Sequence, residues 1–309
     1  MKLITPQFWR KKTLLSILLY PLAILYNLIS LYISYVPKQK IYQPKAKIIR
    51  VGNITLGGSG KTPVVISLAQ FLSEKKIAIL TRGYKGKLIG PIMLNEHHMI
   101  DEVGDEALLL FKHAPTCVAK DRLEGIKFLE NSGFEIIITD DGMQDNRFIA
   151  ALTIMVIDSY FGFGNGMIFP AGPLRESIDS GMNKSDAIVV IGNGEFKSEF
   201  TAIKASLETE ISLHGKSYVA FAGIGNPEKF FFSAEAAGAN LIKKLSFPDH
   251  HQYTEADMEL LFSFASPLIT TEKDFVRLEK RYQEKVETLP IKLVWKDNTM
   301  NKILLKITQ

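Results

Sequence analysis

The run Arg50-Val51-Gly52-Asn53-Ile54-Thr55-Leu56-Gly57-Gly58-Ser59-Gly60-Lys61-Thr62-Pro63 constrains this chain more than any other stretch. A short apolar segment breaks into glycines and ends in Gly-Lys-Thr before a second apolar segment, the grammar of strand, phosphate loop and helix. Gly57, Gly58 and Gly60 admit backbone angles closed to other residues. Consecutive N–H groups, that of Ser59 among them, can therefore turn inward around a polyphosphate at the positive end of the helix. Lys61 then reaches the β- and γ-phosphates, and the Thr62 hydroxyl holds Mg²⁺. Thr55 stands where the usual pattern has its first glycine, the one departure. The loop predicts a nucleoside-triphosphate site.

With 309 residues, 46% of them apolar, the chain can bury two ordinary cores, and two lobes are expected. Its 37 basic and 33 acidic residues nearly balance, which gives no basic face for nucleic acid. The single Cys117 excludes an internal disulfide and fits a reducing compartment. From Leu14 to Val36 no charge occurs. A helix of that length spans about 34 Å, enough for a hydrocarbon core of about 30 Å. The run is long for a signal peptide, and no small-x-small cleavage site follows it. Residues 13–37 are thus expected to form an N-terminal membrane anchor helix, with Pro21 able to kink it. Asn27, Ser30 and Ser34 share one face, with Ser16 on the same stripe, so the helix could instead lie in the interface or pack on the globular part. Basic residues flank both ends, and the nucleotide site points to the cytosolic side.

Beyond the anchor, apolar runs alternate with helical periodicity. Strands are expected at 47–51, 77–81, 116–119, 134–140, 153–158 and 187–191. The second ends in Arg82-Gly83-Tyr84, a loop at a strand's carboxyl end where open parallel sheets bind ligands, so Arg82 is a candidate phosphate or substrate contact. Glu102-Val103-Gly104-Asp105-Glu106-Ala107 opens a helix running to about His113, and Asp121-Arg122 caps the next. Phe134 to Thr139 is a strand that delivers Asp140 and Asp141 at its tip, the arrangement by which phosphate-loop enzymes hold Mg²⁺. Phe161 to Gly166 mixes glycine with aromatics, and an acyl-chain or sugar-ring contact would account for their display. Asn183-Lys184-Ser185-Asp186 has the letters of a guanine-reading motif but precedes a strand instead of following one, so it is rejected. Residues 202–211 read as an extended segment crossing to the second lobe. There, strands at 218–222, 241–245, 268–270 and 291–295 continue the pattern. Among six histidines, His250 and His251 are adjacent in a loop after a strand, with Asp249 available to orient a ring; zinc-ligand spacing is missing.

These pieces together resemble the tetraacyldisaccharide 4'-kinase (lipid A 4'-kinase) family. The similarity covers nearly the whole chain. It is carried by Val51-Gly52-Asn53 through Gly60-Lys61-Thr62-Pro63, Thr81-Arg82-Gly83-Tyr84, Val103-Gly104-Asp105-Glu106 and Asp140-Asp141-Gly142-Met143-Gln144. Pro170-Ala171-Gly172-Pro173-Leu174-Arg175-Glu176, Ala222-Gly223-Ile224-Gly225-Asn226-Pro227, Phe247-Pro248-Asp249-His250 and Thr271-Glu272-Lys273-Asp274 extend it. Thr55 fits this family's own loop, and Met143 stands where an aromatic residue is more usual.

The resemblance implies a P-loop NTPase-type doubly wound sheet (α/β/α) over 38–200, with a smaller α/β lobe and linker strands over 201–309. It implies transfer of the γ-phosphate of ATP to the 4'-hydroxyl of a tetraacylated glucosamine disaccharide 1-phosphate at the cytoplasmic face of the inner membrane; a monomer is expected. Asp105 is then the general base and His250 its hydrogen-bonded supporter from the far lobe. Lys61 stabilises the transferred phosphoryl, and Thr62, Asp140 and Asp141 hold Mg²⁺. Arg82, Glu106, Arg122, Gln144 and Arg175 are expected substrate or phosphate contacts. A membrane-tethered NTPase acting as a switch or assembly factor shares the loop, the aspartates and the anchor, but gives no reason for His250 or Asp105.

Overall fold

The computed structural model describes residues 6–35, 41–194, 196 and 200–308, with 31–35 described by backbone alone. Among them thirteen strands follow one another: β1 Lys47–Gly52, β2 Ile77–Thr81, β3 Ile92–Met93, β4 Thr116–Val118, β5 Ile136–Asp140, β6 Leu152–Asp158, β7 Ala187–Ile191, β8 Ile203–Glu208, β9 Ser217–Ala222, β10 Asn240–Ser246, β11 Leu268–Thr271, β12 Val286–Leu289 and β13 Lys292–Trp295. The first sheet runs β13-β8-β7-β6-β1-β5-β2-β4-β3, and the second runs β10-β9-β11-β12.

Strands buried on both faces read as unbroken apolar runs, and every residue of β2, β5 and β7 is buried. The first sheet is parallel except for its two edge strands, β3 and β13. Helices cover both its faces. Val64, Val65 and Leu68 of the helix Lys61–Phe71 pack with Ile49, Ile138 and Ile154 on one side. Ile126 and Leu129 of the helix Arg122–Asn131 pack with Leu80, Cys117 and Ile137 on the other. The fully parallel second sheet repeats this sandwich on a smaller scale, with Phe230 and Phe231 against one face and Met258 and Leu261 against the other.

β1 lies between β5 and β6, with Val51 level with Asp140. The carboxyl ends of β1 and β5 therefore open side by side, at the point where the order of connection reverses, which is where doubly wound sheets bind ligands.

The sheets divide the chain differently from a boundary at 200. β8 continues the first sheet, pairing Val189 with Ile203, and β13 returns to pair antiparallel with β8. The closing helix Thr299–Thr308 buries Met300 and Leu304 in the first core. Residues 202–211 thus complete the first sheet instead of crossing freely to the second.

The expected single helix over 13–37 is two helices, Leu14–Leu18 and Tyr20–Tyr35; its end at 36–37 lies outside the described residues. The break precedes Pro21, whose missing N–H removes a helical hydrogen bond. Among the described residues no helix is long and apolar enough to cross a membrane. Ser16 and Ala23 turn inward, whereas Leu14, Ile17, Leu18, Leu22, Leu25, Leu28 and Ile29 are exposed. The Gly/Phe loop and the segment after it anchor this region. Asn165 accepts no solvent role: its amide donates to Phe8 O at 2.9 Å, and its backbone N–H to Trp9 O at 2.7 Å. The Phe169 ring meets those of Trp9 and Tyr26 edge-on.

Leu304→Ala is expected to destabilise the first lobe by about 2–4 kcal/mol, the cost of a cavity in a packed core. Denaturant unfolding measures it, and a loss below about 1 kcal/mol would mean that the closing helix lies outside that core.

Candidate active site

Gly60 takes φ +84° at the start of the helix Lys61–Phe71, and Gly57 takes φ +116°. A Cβ added at Gly57 or Gly58 would meet no atom within 4 Å, so the loop opens onto free space. Ser59 Oγ is buried without a hydrogen-bond partner, and Thr62 is buried one residue into the helix. A cradle of backbone with an orphaned hydroxyl fits a polyphosphate. Thr55 is extended and bridges to Leu174, while Leu56 N–H donates to Pro173 O and Arg175 N–H to Ile54 O. That pairing explains a β-branched residue in place of glycine: the loop begins as a strand. Asn53, wholly buried, donates to Thr55 O and accepts from Lys61 Nζ at 3.2 Å.

The tip of β5 carries the acidic pair. Asp140 is buried with Oδ1 unpaired. Burial, and then the charge of Glu106, push its carboxyl up to about 7. A divalent cation would reverse this shift. Asp141 adopts φ +53°, an uncommon angle for a residue with a side chain. Its carboxylate lies 3.5 Å from Lys61 Nζ and 3.1 Å from Arg175 Nη1. Burial opposes the Asp141 charge, but Lys61 and Arg175 more than offset it and lower its pKa. Among the described residues no cluster of three or more His, Cys, Asp or Glu forms a protein cage for a metal. Mg²⁺ suits the residues present, because it is commonly held by one or two carboxylates together with phosphate oxygens and water.

The expected phosphate contacts separate. Arg175 and Gln144 stand together beside Asp141, with Gln144 also donating to Asn53 O and Glu176. Arg122, by contrast, is buried and donates to the backbone carbonyls of Asp140 and Asp141. Its Nη2 holds the β5 tip in place. Burial and then the charge of Arg82 lower the Arg122 pKa to about 10. Arg82 itself is exposed and has no partner among the described residues.

Asp105 and His250 meet across the lobes. Gly104, at φ +87°, breaks the expected helix into Ile100–Val103 and Asp105–Phe111; a Cβ there would stand 2.2 Å from Tyr84 O. Asp105 follows at the start of the second piece, almost fully buried. His250 takes φ +57°, and its Nδ1 lies 2.7 Å from Asp105 Oδ2. Arg277, its side chain wholly buried, donates through Nε to the same oxygen at 2.7 Å and through Nη1 to Asp274 and Gly223 O. Burial disfavours the Asp105 charge, yet the His250 hydrogen bond and the Arg277 guanidinium hold its carboxyl well below the usual carboxylate range. Asp105 is therefore ionised at neutral pH, and His250 Nδ1 carries the proton it donates. Among the described residues Asp105 Oδ1 accepts only from Glu106 N–H, leaving it the less committed oxygen. Next to it, Lys273 donates to Glu106 at 2.7 Å, a second bond between the lobes.

Asp249 does not orient the His250 ring, from which it lies 3.9 Å away. His251 has a separate place, paired with Asp257 and stacked on Phe247. Arg277, Lys273 and Asn53 were not singled out by sequence reasoning. Two of them sit inside quoted motifs without an assigned task, and Arg277 lies one helical turn beyond Asp274.

A family model described as tetraacyldisaccharide-1-P 4'-kinase (LpxK) matches residues 15–309. A protein of Paramagnetospirillum magneticum named tetraacyldisaccharide 4'-kinase is 42% identical over 307 residues, 94% of each chain. One of Rhodospirillum centenum with the same name is 34% identical over 97% of this chain and 95% of that one. A crystal structure of LpxK from Aquifex aeolicus in complex with ATP superposes with a TM-score of 0.80 at 27% identity, over 96% of this chain and all of that one. Similar in sequence and in fold from the N-terminal helices to the closing one, the chain belongs to the tetraacyldisaccharide 4'-kinase family.

Proposed function

We propose that this protein transfers the γ-phosphate of ATP to the 4'-hydroxyl of a tetraacylated glucosamine disaccharide 1-phosphate. The observation that carries the reading is the Asp105–His250 hydrogen bond across the lobes, a base and its supporter, in the same site as an open phosphate loop. A switch or assembly NTPase has no task for that pair.

Lys61 neutralises charge on the transferring phosphoryl. Thr62, Asp140 and Asp141 would hold Mg²⁺, which would supply positive charge to offset that of the phosphates. Asp105 orients the acceptor hydroxyl through Oδ1 and takes its proton. A carboxylate with so low a pKa accepts that proton late, when the new bond is largely formed. His250 and Arg277 keep Oδ2 occupied and so fix which oxygen faces the acceptor. Arg175 and Gln144 lie on the phosphate side; Glu106 and Arg82 border the acceptor side, and Arg122 supports the metal-binding tip.

The substrate's four acyl chains keep it in a bilayer. The exposed apolar face of the N-terminal helices supports a seat on the inner-membrane surface, with the catalytic lobes on its cytoplasmic side.

Wild type incubated with γ-labelled ATP and the detergent-dispersed disaccharide should label the lipid, and Lys61→Ala should lose that label. ATP hydrolysis without labelled lipid would return the switch reading. Asp105→Ala and His250→Ala should each lower kcat by about 10²- to 10⁴-fold with little change in ATP affinity. Their double mutant should lose less than the product, and strict multiplicativity would sink the pairing. Ile17→Glu with Leu25→Glu, on the exposed helical face, should weaken sedimentation with anionic lipid vesicles by about tenfold or more while sparing transfer to the detergent-dispersed lipid. Unchanged vesicle binding would remove this face from the membrane.

A further inference from the structure

Glu106 is bonded to one lysine and feels the charge of a second. Lys273, on the short helix Glu272–Phe275 that leaves β11, donates to Glu106 Oε1 at 2.7 Å. Lys61 lies near enough for its charge to stabilise the same carboxylate. As a plain ion pair between partly exposed groups, Lys273–Glu106 would contribute little to stability. Three features go further. An ammonium has three donors, and Glu106 occupies only one of them among the described residues. The Lys273 and Glu106 side chains are 31% and 28% accessible, so the seam is open to a ligand at this point. The charges of Asp105 and Asp140, besides that of Glu106, act on the Lys273 ammonium, so the acceptor base and the metal-binding tip are both within its electrostatic reach. A phosphoryl group passing from nucleotide to acceptor carries its negative charge through that space.

We propose that Lys273 is a catalytic residue: its ammonium, supplied by the second lobe, donates to a non-bridging oxygen of the γ-phosphoryl during transfer. The Glu106 carboxylate accepts from one of its three donors. The inference rests on the phosphotransfer reading above. In the step, the bond from phosphorus to the ADP oxygen breaks and its electron pair stays with ADP. The acceptor oxygen forms the new bond to phosphorus, and its proton passes to Asp105. Lys273 keeps its proton throughout and acts by charge alone, as a cation supplied in cis does in other phosphoryl-transfer enzymes.

The test reads kcat for lipid phosphorylation, equilibrium affinity for a fluorescent ATP analogue and Tm in wild type, Lys273→Met, Lys273→Arg and Glu106→Gln. Lys273→Met should lower kcat by about 100-fold or more, the scale for losing one preorganised donor to a developing charge. Affinity for the analogue should stay within about threefold, because the contact is made chiefly in the transition state. Lys273→Arg should recover part of the loss, and Glu106→Gln should cost at least about tenfold less than Lys273→Met, since the cation remains. Equal losses in Lys273→Met and Glu106→Gln, or a fall in kcat matched by a fall in Tm, would reduce Lys273 to a latch between the lobes. Should Lys273→Met fail to fold, Lys273→Gln replaces it with the same criteria. Absence of transfer by wild type would overturn the phosphotransfer reading itself, and this one with it.

Discussion

One buried carboxylate ties the molecule together. Asp105 belongs to the first lobe, and the groups that make its burial tolerable, His250 and Arg277, belong to the second. An ionised carboxylate left unpaired in such a place costs several kcal/mol. Arg277 is equally dependent, being wholly buried between Asp105 and Asp274. Asp274 is fixed in turn by Gly223 N–H, Tyr253 and Thr271. The bonds that dock the lobes are therefore the bonds that orient the base, and neither can be altered alone.

The same logic governs the phosphate side. Lys61, Asn53, Gln144, Arg175 and Asp141 form a connected polar network around the loop. Arg122 holds the β5 tip from behind through backbone carbonyls. Two side-chain-bearing residues with left-handed backbone, Asp141 and His250, sit in the site itself. Such angles persist only where surrounding contacts over-determine them, and both residues are held by ion pairs or hydrogen bonds to neighbouring elements.

Much of this was legible in the chain. The phosphate loop, the acidic strand tip and most parallel strands announce themselves through glycine spacing and apolar runs, because local backbone preference and burial act in the same direction there. The residues that stayed hidden act over distance. Arg277 reads as an ordinary helical arginine until the fold brings Asp105 to it, across the whole length of sequence between them. Arg122 reads as a substrate or phosphate contact at a helix start, and only the fold shows that backbone carbonyls claim it. The short edge strands β3 and β12 and the closing helix carry too little pattern to stand out. The split of the N-terminal helix was visible in Pro21, whereas its docking was not: Asn165 and Phe169 meet Phe8, Trp9 and Tyr26 only in three dimensions.

The return of the chain to the first sheet has a mechanical consequence. The second sheet is inserted between β8 and β13, and those strands end level with each other, Glu208 opposite Lys292. Facing residues of an antiparallel pair lie about 5 Å apart, so the inserted unit leaves and rejoins its host at nearly one point. Two tethers so close act as a single pivot. The seat of the inserted unit is therefore set less by its tethers than by the contacts it makes across the seam, and the base on the first lobe is complete only where His250 and Arg277 reach Asp105.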